Sequence, residues 1–270
     1  MKDIRDSLFG DVPNKKVSAR IWANESGVVV GIGRMTQAAA KIGVSIDVKL
    51  RDGDEISCKG TIAIVEGTPK QISVAEDELI GTIAKTSGVA TAARNAVRLA
   101  GERVRIVSGG WKKMPIQIKE EIREALRLGG VGIRISEEPF VYLDKNYIRI
   151  FGGISQALRA ASRFADRIKV VQIRGETGVI SDESIEAVNH GAAIIMVDTG
   201  EIKDLVAVIE SLKKARMRDR VKVAFGGAIK LEEIPKLAET GVDILDIGRA
   251  LIDAPMLDIK FDVSVASNEG

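Results

Sequence analysis

Cysteine, histidine and aromatic residues are all scarce in this chain of 270 residues. The single cysteine, Cys58, has no partner for an intramolecular disulfide, and it excludes a cysteine-based metal site. The single histidine, His190, excludes a zinc site built on a histidine pair and argues against a Ser-His-Asp triad. His190 precedes Gly191 in a sequence typical of a helix C-terminus, which predicts a structural role. Aromatic residues make up 4% of the chain, so aliphatic side chains must fill the core.

Long apolar runs and blocks of like charge are also missing. The longest apolar runs, such as residues 192–197, have the length of a strand and not of a membrane span. The first six residues carry acids and lack the apolar core of a signal peptide. The net charge is +2 and the charges are interspersed, so no basic surface for nucleic acid is indicated. We therefore expect a cytoplasmic protein without a membrane or nucleic-acid partner.

The first hundred residues have the pattern of a small α+β domain. Strands are predicted at 17–22, 27–31, 44–50 and 61–65, and a helix at 35–42 ends at Gly43. The sequence Asp52-Gly53-Asp54 is typical of a tight turn between two of these strands. Helical periodicity follows at 74–85 and 90–100, and Ser87-Gly88 is expected to interrupt it. These elements define a predicted domain over residues 1–103.

From residue 104 the pattern changes to short Val/Ile-rich runs that alternate with amphipathic helices. The predicted strands are 104–107, 131–135, 141–143, 169–173, 193–197, 222–224 and 244–247. Apolar strands alternating with helices indicate a parallel sheet covered by helices. A complete eight-stranded barrel takes about 250 residues, so we predict an incomplete TIM-like (β/α) barrel over 104–256 in an α/β protein. A last strand within 257–270 is expected to return to the N-terminal domain.

The working end of a parallel barrel is the carboxyl end of its strands. Gly226 and Gly227 follow the sixth predicted strand, and Gly248 follows the seventh. Backbone N–H groups in such turns, with the positive end of a following helix, can bind a phosphate. Alternatively, these glycines only make tight turns. Their occurrence on two consecutive late strands favours the phosphate site.

Other polar residues follow the predicted strands. Lys112 and Lys145 supply positive charge, and Arg134 lies inside the second predicted strand, where it should meet either an internal acid or an anionic ligand. Asp198 ends an apolar strand and could hold a magnesium–phosphate group or ribose hydroxyls, or cap a helix. Trp111 could stack on a flat ligand or pack in the core. The rim also contains Lys113, Arg174, Glu176 and Arg249.

Several motifs in this order resemble the quinolinate phosphoribosyltransferase family, over almost the whole chain. They include Ala19-Arg20-Ile21, 25–31, Asp52-Gly53-Asp54, 87–91, 127–130, 191–198, Phe225-Gly226-Gly227, 239–243 and 254–258. The resemblance implies phosphoribosyl pyrophosphate as donor, Mg²⁺ as cofactor with Asp198 as its ligand, and a homodimer whose N-terminal domain closes the barrel of its partner.

The sequence departs from the family pattern in the motifs that carry the family's substrate-binding and catalytic residues. The family's Asp-Thr-Arg-Lys aligns with Gly109-Gly110-Trp111-Lys112, so the arginine becomes Trp111. A substrate arginine after Ala-Glu aligns with Asp77. Asn-His-Arg becomes Gly132-Ile133-Arg134, Lys-Asp-Asn-His becomes Asp144-Lys145-Asn146-Tyr147, and the serine before the glycine pair becomes Phe225. Quinolinate carries two carboxylates, which arginines bind by paired hydrogen bonds. The loss of two arginines, and the negative charge of Asp77, indicate a different acceptor.

The leading hypothesis is phosphoribosyl transfer to a flat acceptor other than quinolinate. In it Lys112, Arg134 and Lys145 supply catalytic charge, Asp198 holds ribose or magnesium, and the glycines bind phosphate. Trp111, Asn146 and Asp77 complete the substrate site. Two alternatives stay open: ordinary quinolinate phosphoribosyltransferase activity, and a non-catalytic homologue that binds a phosphosugar.

Overall fold

The computed structural model describes residues 3–264, which form two compact units. The first unit contains the chain up to Arg94, Met114–Gly130 and the chain from Asp253, and the second contains Asn95–Lys113 and Val131–Ile252. Of the predicted C-terminal strand 257–270, residues 265–270 lie outside the described residues. The elements of the first unit are α1 (Ile4–Leu8), β1 (Val17–Ala23), β2 (Gly27–Val28), α2 (Ile32–Ile42), β3 (Ser45–Val48), β4 (Glu55–Ile56), β5 (Thr61–Gly67), α3 (Pro69–Ala100, which continues into the second unit), α4 (Lys119–Leu128) and β12 (Ile259–Ser264).

The first unit is built on a four-stranded antiparallel sheet with the order β12-β1-β5-β3. Alternate residues of β1, namely Ala19, Ile21 and Ala23, are fully buried, as expected for a strand with one face on a core. Strand β12 pairs with β1, with Phe261 opposite Ile21. The prediction that the last apolar stretch returns to this domain is therefore confirmed over the described residues.

Helix α2 shows how the local sequence fixes its ends. Gly43 adopts the left-handed conformation (φ 83°) and stops the helix where the sequence predicts. At the other end, the Asp52 carboxylate accepts hydrogen bonds from the backbone N–H groups of Gly31 and Ile32. Because this cap comes from the predicted Asp-Gly turn, the helix begins three residues earlier than its periodicity indicated.

The predicted interruption at Ser87-Gly88 is wrong, because α3 is a continuous helix of 32 residues. The Ser87 hydroxyl accepts a hydrogen bond from the Val30 N–H at 2.9 Å. This bond connects α3 to the residues just before α2. A side chain at position 88 would collide with the carbonyl oxygen of Pro255. Gly88 therefore allows the chain at Pro255 to pack closely against α3, and it does not break the helix.

The second unit is a parallel sheet with helices between its strands. Its strands follow the order β6-β11-β10-β9-β8-β7, and all five pairings are parallel. Its elements are β6 (Arg105–Val107), a 3₁₀ turn (Gly110–Lys113), β7 (Phe140–Leu143), α5 (Lys145–Phe151), α6 (Ile154–Ala161), β8 (Ile168–Ile173), α7 (Ile180–Asn189), β9 (Ile194–Asp198), α8 (Ile202–Lys214), β10 (Lys222–Gly226), α9 (Ile234–Ala238), β11 (Ile244–Asp246), α10 (Arg249–Ile252) and 3₁₀ turns at Arg218–Arg220 and Leu231–Glu233.

The second predicted strand, 131–135, is not a strand in this structure. Only Gly132 pairs with β6, through a single bridge to Val107. Its N–H donates to the Ile106 carbonyl at 3.0 Å, and its carbonyl accepts from the Ser108 N–H at 2.8 Å. The ladder does not continue to β7, so the sheet has six strands and the barrel is incomplete, as predicted. None of the helices in residues 3–264 combines the length and apolar character of a membrane span.

Candidate active site at the carboxyl ends of the barrel strands

The interior of the second unit changes from apolar to polar along its strands. Alternate strand residues, together with Ile135 from the segment before β7, form one buried apolar cluster of Val107, Ile135, Val170, Ile194, Met196, Ala224 and Ile244, with Phe140, Tyr142 and Ile168 packed against it. Because side chains alternate between the faces of a strand, the same inward-facing rows continue toward the carboxyl ends. They end in Tyr142, Gln172, Asp198, Gly226 and Asp246. These five residues form the polar layer of the barrel mouth.

The three glycines predicted to bind phosphate lie at this end, in different steric situations. Gly227 has φ 113°, and a Cβ there would lie 2.7 Å from the Gly200 Cα, so two backbone segments meet at this point. A Cβ on Gly226 would make only ordinary contacts, and one on Gly248 would meet nothing closer than 4.0 Å. Open space therefore lies beside Gly248, whereas Gly226 is in contact distance of Met196, Asp198 and Asp246.

The helix dipole that we expected at these turns has little structural basis. Helix α10, after Gly248, has only four residues. After Gly226 and Gly227 the chain passes through three more residues before the 3₁₀ turn that starts at Leu231. A phosphate at this rim would depend on backbone N–H groups and on space, because a single turn develops little macrodipole.

Asp246 is a polar residue that the motif search missed. It is the last residue of β11, and its Oδ1 accepts a hydrogen bond from the Gly109 N–H at 2.8 Å. Burial raises the pKa of Asp246, while the Gly109 N–H and the Lys112 ammonium lower it and the Asp198 carboxylate raises it further. A signal was present in the sequence. Burying a carboxyl group at an inward-facing position of an apolar strand costs free energy unless the group is hydrogen-bonded or binds a ligand.

Tyr142 is the second residue that the search missed. Its ring packs against the apolar interior, and the Lys112 Nζ lies 5.8 Å from the ring centre. Burial raises the pKa of the Tyr142 phenol well above its usual value, and the carboxylates of Asp246, Asp198 and Asp144 raise it further. The hydroxyl is therefore protonated at neutral pH and can donate a hydrogen bond.

Asp198 is held by two neighbours. Its Oδ2 accepts hydrogen bonds from the Gln172 side-chain amide and from Arg174 Nη1, the latter at 2.7 Å. The Gln172 oxygen in turn accepts the Lys145 backbone N–H at 2.7 Å. Asp198 is therefore fixed by side chains from β8 and its loop, and Gln172 connects it to the start of α5. The other carboxylate oxygen, Oδ1, faces Gly226.

The loop after β8 is organised by Glu183, a third residue that sequence reasoning did not single out. Its buried carboxylate accepts the backbone N–H groups of Arg174, Gly175 and Thr177 and the Thr177 hydroxyl, at 2.7–3.1 Å. Glu176, a candidate acid of this loop, is shared between the guanidinium groups of Arg149 (2.8 Å) and Arg174 (3.4 Å).

The remaining rim residues are placed as follows. Lys112 lies on the 3₁₀ turn after β6, with its Nζ 6.0 Å from the Trp111 ring centre. The Trp111 indole N–H donates to the Ile133 carbonyl at 3.1 Å. Lys145 and Asn146 begin α5 with exposed side chains, and Asp144 caps that helix by accepting the Asn146 N–H.

Two predicted site residues are not brought to the polar layer. Arg134 is exposed on the segment that fails to form a strand, and its guanidinium lies 5.2 Å from the Phe140 ring centre. The premise that it sits inside an apolar strand, and should therefore meet either an internal acid or an anionic ligand, is wrong. Asp77 belongs to the first unit, on α3, where it pairs with Arg5.

Comparisons with known proteins agree with this architecture. Family models for the N-terminal and C-terminal domains of quinolinate phosphoribosyl transferase match residues 3–87 and 89–262. The chain is 27% identical over 252 residues to a probable nicotinate-nucleotide pyrophosphorylase [carboxylating] of Methanothermobacter thermautotrophicus, covering 92% of this chain and 88% of that protein. It is 25% identical to the human nicotinate-nucleotide pyrophosphorylase [carboxylating], covering 90% and 80%.

Solved structures share the fold. The nicotinate-nucleotide pyrophosphorylase of Pyrococcus furiosus superposes with a TM-score of 0.81 at 21% identity, covering 98% of this chain and 76% of that one. The enzyme of that name from Francisella tularensis gives a TM-score of 0.77 at 21% identity, covering 97% and 94%. With both domain models matched over nearly its whole length, the chain belongs to the quinolinate phosphoribosyl transferase family.

Proposed function

We propose that this protein transfers a phosphoribosyl group from phosphoribosyl pyrophosphate to a ring nitrogen of a small flat acceptor other than quinolinate. The observation that carries the proposal is the barrel mouth: Asp198 and Asp246 flank Gly226, beside open backbone at Gly248. In the reaction, the bond between the ribose anomeric carbon and the pyrophosphate oxygen breaks, a carbon–nitrogen bond forms, and pyrophosphate leaves.

The phosphate of the donor is assigned to the late strands. Gly248 leaves space at the carboxyl end of β11, where its backbone and that of the neighbouring Gly226-Gly227 turn can approach an oxyanion. Barrel enzymes commonly bind phosphate after their last two strands. The geometry of these glycines therefore supports a phosphate-binding role over simple turn formation.

Asp198 fits the role of a ribose or magnesium ligand. Magnesium in such enzymes is held by one or two carboxylates together with substrate phosphates. No group of three His, Cys, Asp or Glu side chains within residues 3–264 is arranged to hold a metal by itself. The carboxylate of Asp198 and the phosphates of the donor would together suit a magnesium ion that arrives with pyrophosphate. Asp198 Oδ1, which faces Gly226, would be the protein ligand of that ion. Magnesium would neutralise charge on the leaving pyrophosphate.

The cations of the early strands are assigned to the developing charge. Lys112 lies near Asp246 and Tyr142, and Lys145 begins α5 beside the Gln172–Asp198 pair. Such a displacement relies on position and on nearby positive charge more than on a nucleophilic side chain. Arg134 can contribute only if it leaves the face of Phe140.

Two guanidinium groups of the early rim are already paired with carboxylates of the protein. Arg149 and Arg174 both pair with Glu176, and Arg174 also binds Asp198. Trp111 stands where the family pattern has an arginine, and its indole N–H is bonded to a backbone carbonyl. These contacts support an acceptor that carries less negative charge than quinolinate. The homodimer implied by the family resemblance, with Asp77 facing a partner's barrel, is part of the same proposal.

Gly248→Ala provides the sharpest test of the phosphate site. A Cβ at this position has room in the free protein, so the free energy of unfolding should change by less than about 0.5 kcal/mol. The same methyl group would occupy the proposed phosphate position. We expect the affinity for phosphoribosyl pyrophosphate with Mg²⁺, measured by calorimetry, to fall by about tenfold or more.

Gly81→Ala is the matched control, because position 81 of α3 is exposed and a Cβ there meets nothing within 4 Å. Equal affinity in both variants would refute the phosphate assignment. Pyrophosphate release is then measured with a panel of nitrogen heterocycles that includes quinolinate. Turnover of quinolinate above the others would favour ordinary family activity, and binding without any turnover would favour a non-catalytic phosphosugar-binding protein.

A further inference from the structure

Asp246 and Tyr142 lie on inward-facing rows near opposite edges of the six-stranded sheet. Asp246 lies on β11 beside edge strand β6, and Tyr142 lies on the other edge strand, β7. Both side chains point inward. Ile244, two residues before Asp246, belongs to the apolar cluster, and Phe140, two residues before Tyr142, packs against it. A ring that entered the mouth between the early and late strands would meet these two side chains.

Three carboxylates surround this position. The carboxylates of Asp246 and Asp198 flank Gly226, and Asp144 lies near Tyr142. Lys112 is the cation that acts on Asp246, while Arg174 is bound to Asp198 and Glu176. A carboxylate on the acceptor would be placed among like charges away from bulk water, which is costly.

Hydrogen-bond chemistry at the two residues is complementary to an amide. Asp246 Oδ1 accepts the Gly109 N–H at 2.8 Å, so its Oδ2 remains the oxygen assigned to a ligand N–H. The Tyr142 hydroxyl, which stays protonated beside these carboxylates, can donate to a carbonyl oxygen. A carboxamide offers both partners in one planar group, whereas a carboxylate offers only acceptors.

We propose that Asp246 and Tyr142 are specificity-determining residues that select a nitrogen heterocycle bearing a neutral carboxamide over one bearing a carboxylate. The inference rests on the proposed function and names the class of acceptor for the same site. Asp246 discriminates because it repels a carboxylate and accepts an amide N–H, and Tyr142 orients the carbonyl.

The experiment compares matched acceptor pairs that differ only in the substituent: nicotinamide with nicotinate, picolinamide with picolinate, and pyrazinamide with pyrazinoate. The ratio of kcat/KM within each pair is measured from pyrophosphate release with phosphoribosyl pyrophosphate and Mg²⁺. We expect at least one carboxamide to exceed its carboxylate by about tenfold or more.

Asp246→Asn should shift that ratio toward the carboxylate by about tenfold, since asparagine keeps an oxygen for Gly109 and places a donor amide in the mouth. Tyr142→Phe should raise KM for the carboxamide about fivefold and leave KM for the donor unchanged. Asp219→Asn, at an exposed acid just before β10 at the amino ends of the strands, is the control and should leave the ratio within twofold.

The outcomes separate the two proposals. If phosphoribosyl pyrophosphate does not bind, the proposed function fails. If it binds and a carboxylate is preferred, or no carboxamide reacts, the specificity inference is overturned while the donor assignment stands. An unchanged ratio in a folded Asp246→Asn variant also overturns the inference. Thermal denaturation verifies folding, and Tyr142→Phe gives a second reading if the Asp246 variant does not fold.

Discussion

The barrel mouth has two halves that are built in different ways. The late rim, formed by the segments after β9, β10 and β11, takes its shape from backbone contacts such as the approach of Gly227 to Gly200. The early rim, formed by the segments after β6, β7 and β8, is shaped by side-chain contacts such as Glu183 with its loop and Arg149 with Glu176. A site made of backbone resists substitution, whereas side-chain contacts can be exchanged. The glycines of the family pattern lie in the late rim, and most of the departures, such as Trp111 and Tyr147, lie in the early rim, with Phe225 as a departure beside the late rim.

The largest effect that distinguishes the halves is expected for Gly227→Ala. An alanine would have to adopt φ 113° and would bring its Cβ against the backbone of Gly200. We expect a loss of about 3 kcal/mol in the free energy of unfolding, measured with urea. Gly226→Ala, with only ordinary contacts, serves as the neighbouring control. A loss below about 1 kcal/mol at position 227 would remove the argument that backbone packing fixes the late rim.

A smaller effect is expected for Glu183→Gln in the early rim. The amide would present N–H groups to the donors that now bind one carboxylate oxygen, so two of the four hydrogen bonds are lost. We expect a loss of about 2 kcal/mol and faster amide exchange at Gly175 and Thr177. Glu201→Gln, at an exposed acid, should change stability by less than about 0.5 kcal/mol. Equal losses in the two variants would contradict the role given to Glu183.

The smallest change is a pH-dependent gain for Asp246→Asn, whose side chain lies between the two rims. The pKa of Asp246 is raised in the folded protein, so between its unfolded value and its folded value the native state binds more protons. Native stability contributed by this group is present at low pH and is lost as pH rises through the folded pKa. Asparagine removes that loss, so the variant should be the more stable one at pH 7.

Thermal denaturation of both proteins at several pH values checks this sign. The stability difference should shrink toward pH 4 and vanish below it, because Asp246 is then protonated in both states. A difference that stays constant with pH would mean that the substitution acts through packing alone.

Much of the fold could be predicted from the sequence. The alternation of apolar runs and helices identified all six barrel strands closely, and Gly43 and Gly191 marked helix ends. The strand at 131–135 failed because its apolar residues have the right composition, but only Gly132 finds a partner. The break at Ser87-Gly88 failed because Gly88 serves a contact with Pro255, distant in sequence. Propensity does not report such contacts.

The residues of the candidate site also fall into two groups, those that could be singled out from the sequence and those that could not. Gly226, Gly227, Gly248 and Asp198 could be singled out from the sequence because turns at strand ends follow from chain order. Asp246, Tyr142 and Glu183 were missed because their importance depends on which way a side chain faces and on what meets it there.

The sequence by itself determined the class of fold, the family, and the rim of the barrel at which the candidate site lies, since periodicity and glycine placement are local properties. Only the tertiary structure decided which residues of that rim face the same space. It placed Asp246 beside Gly109, bound Arg174 to Asp198, and left Arg134 on the face of Phe140. The physical reason is that burial and charge pairing depend on neighbours from other strands, which no single stretch of sequence contains.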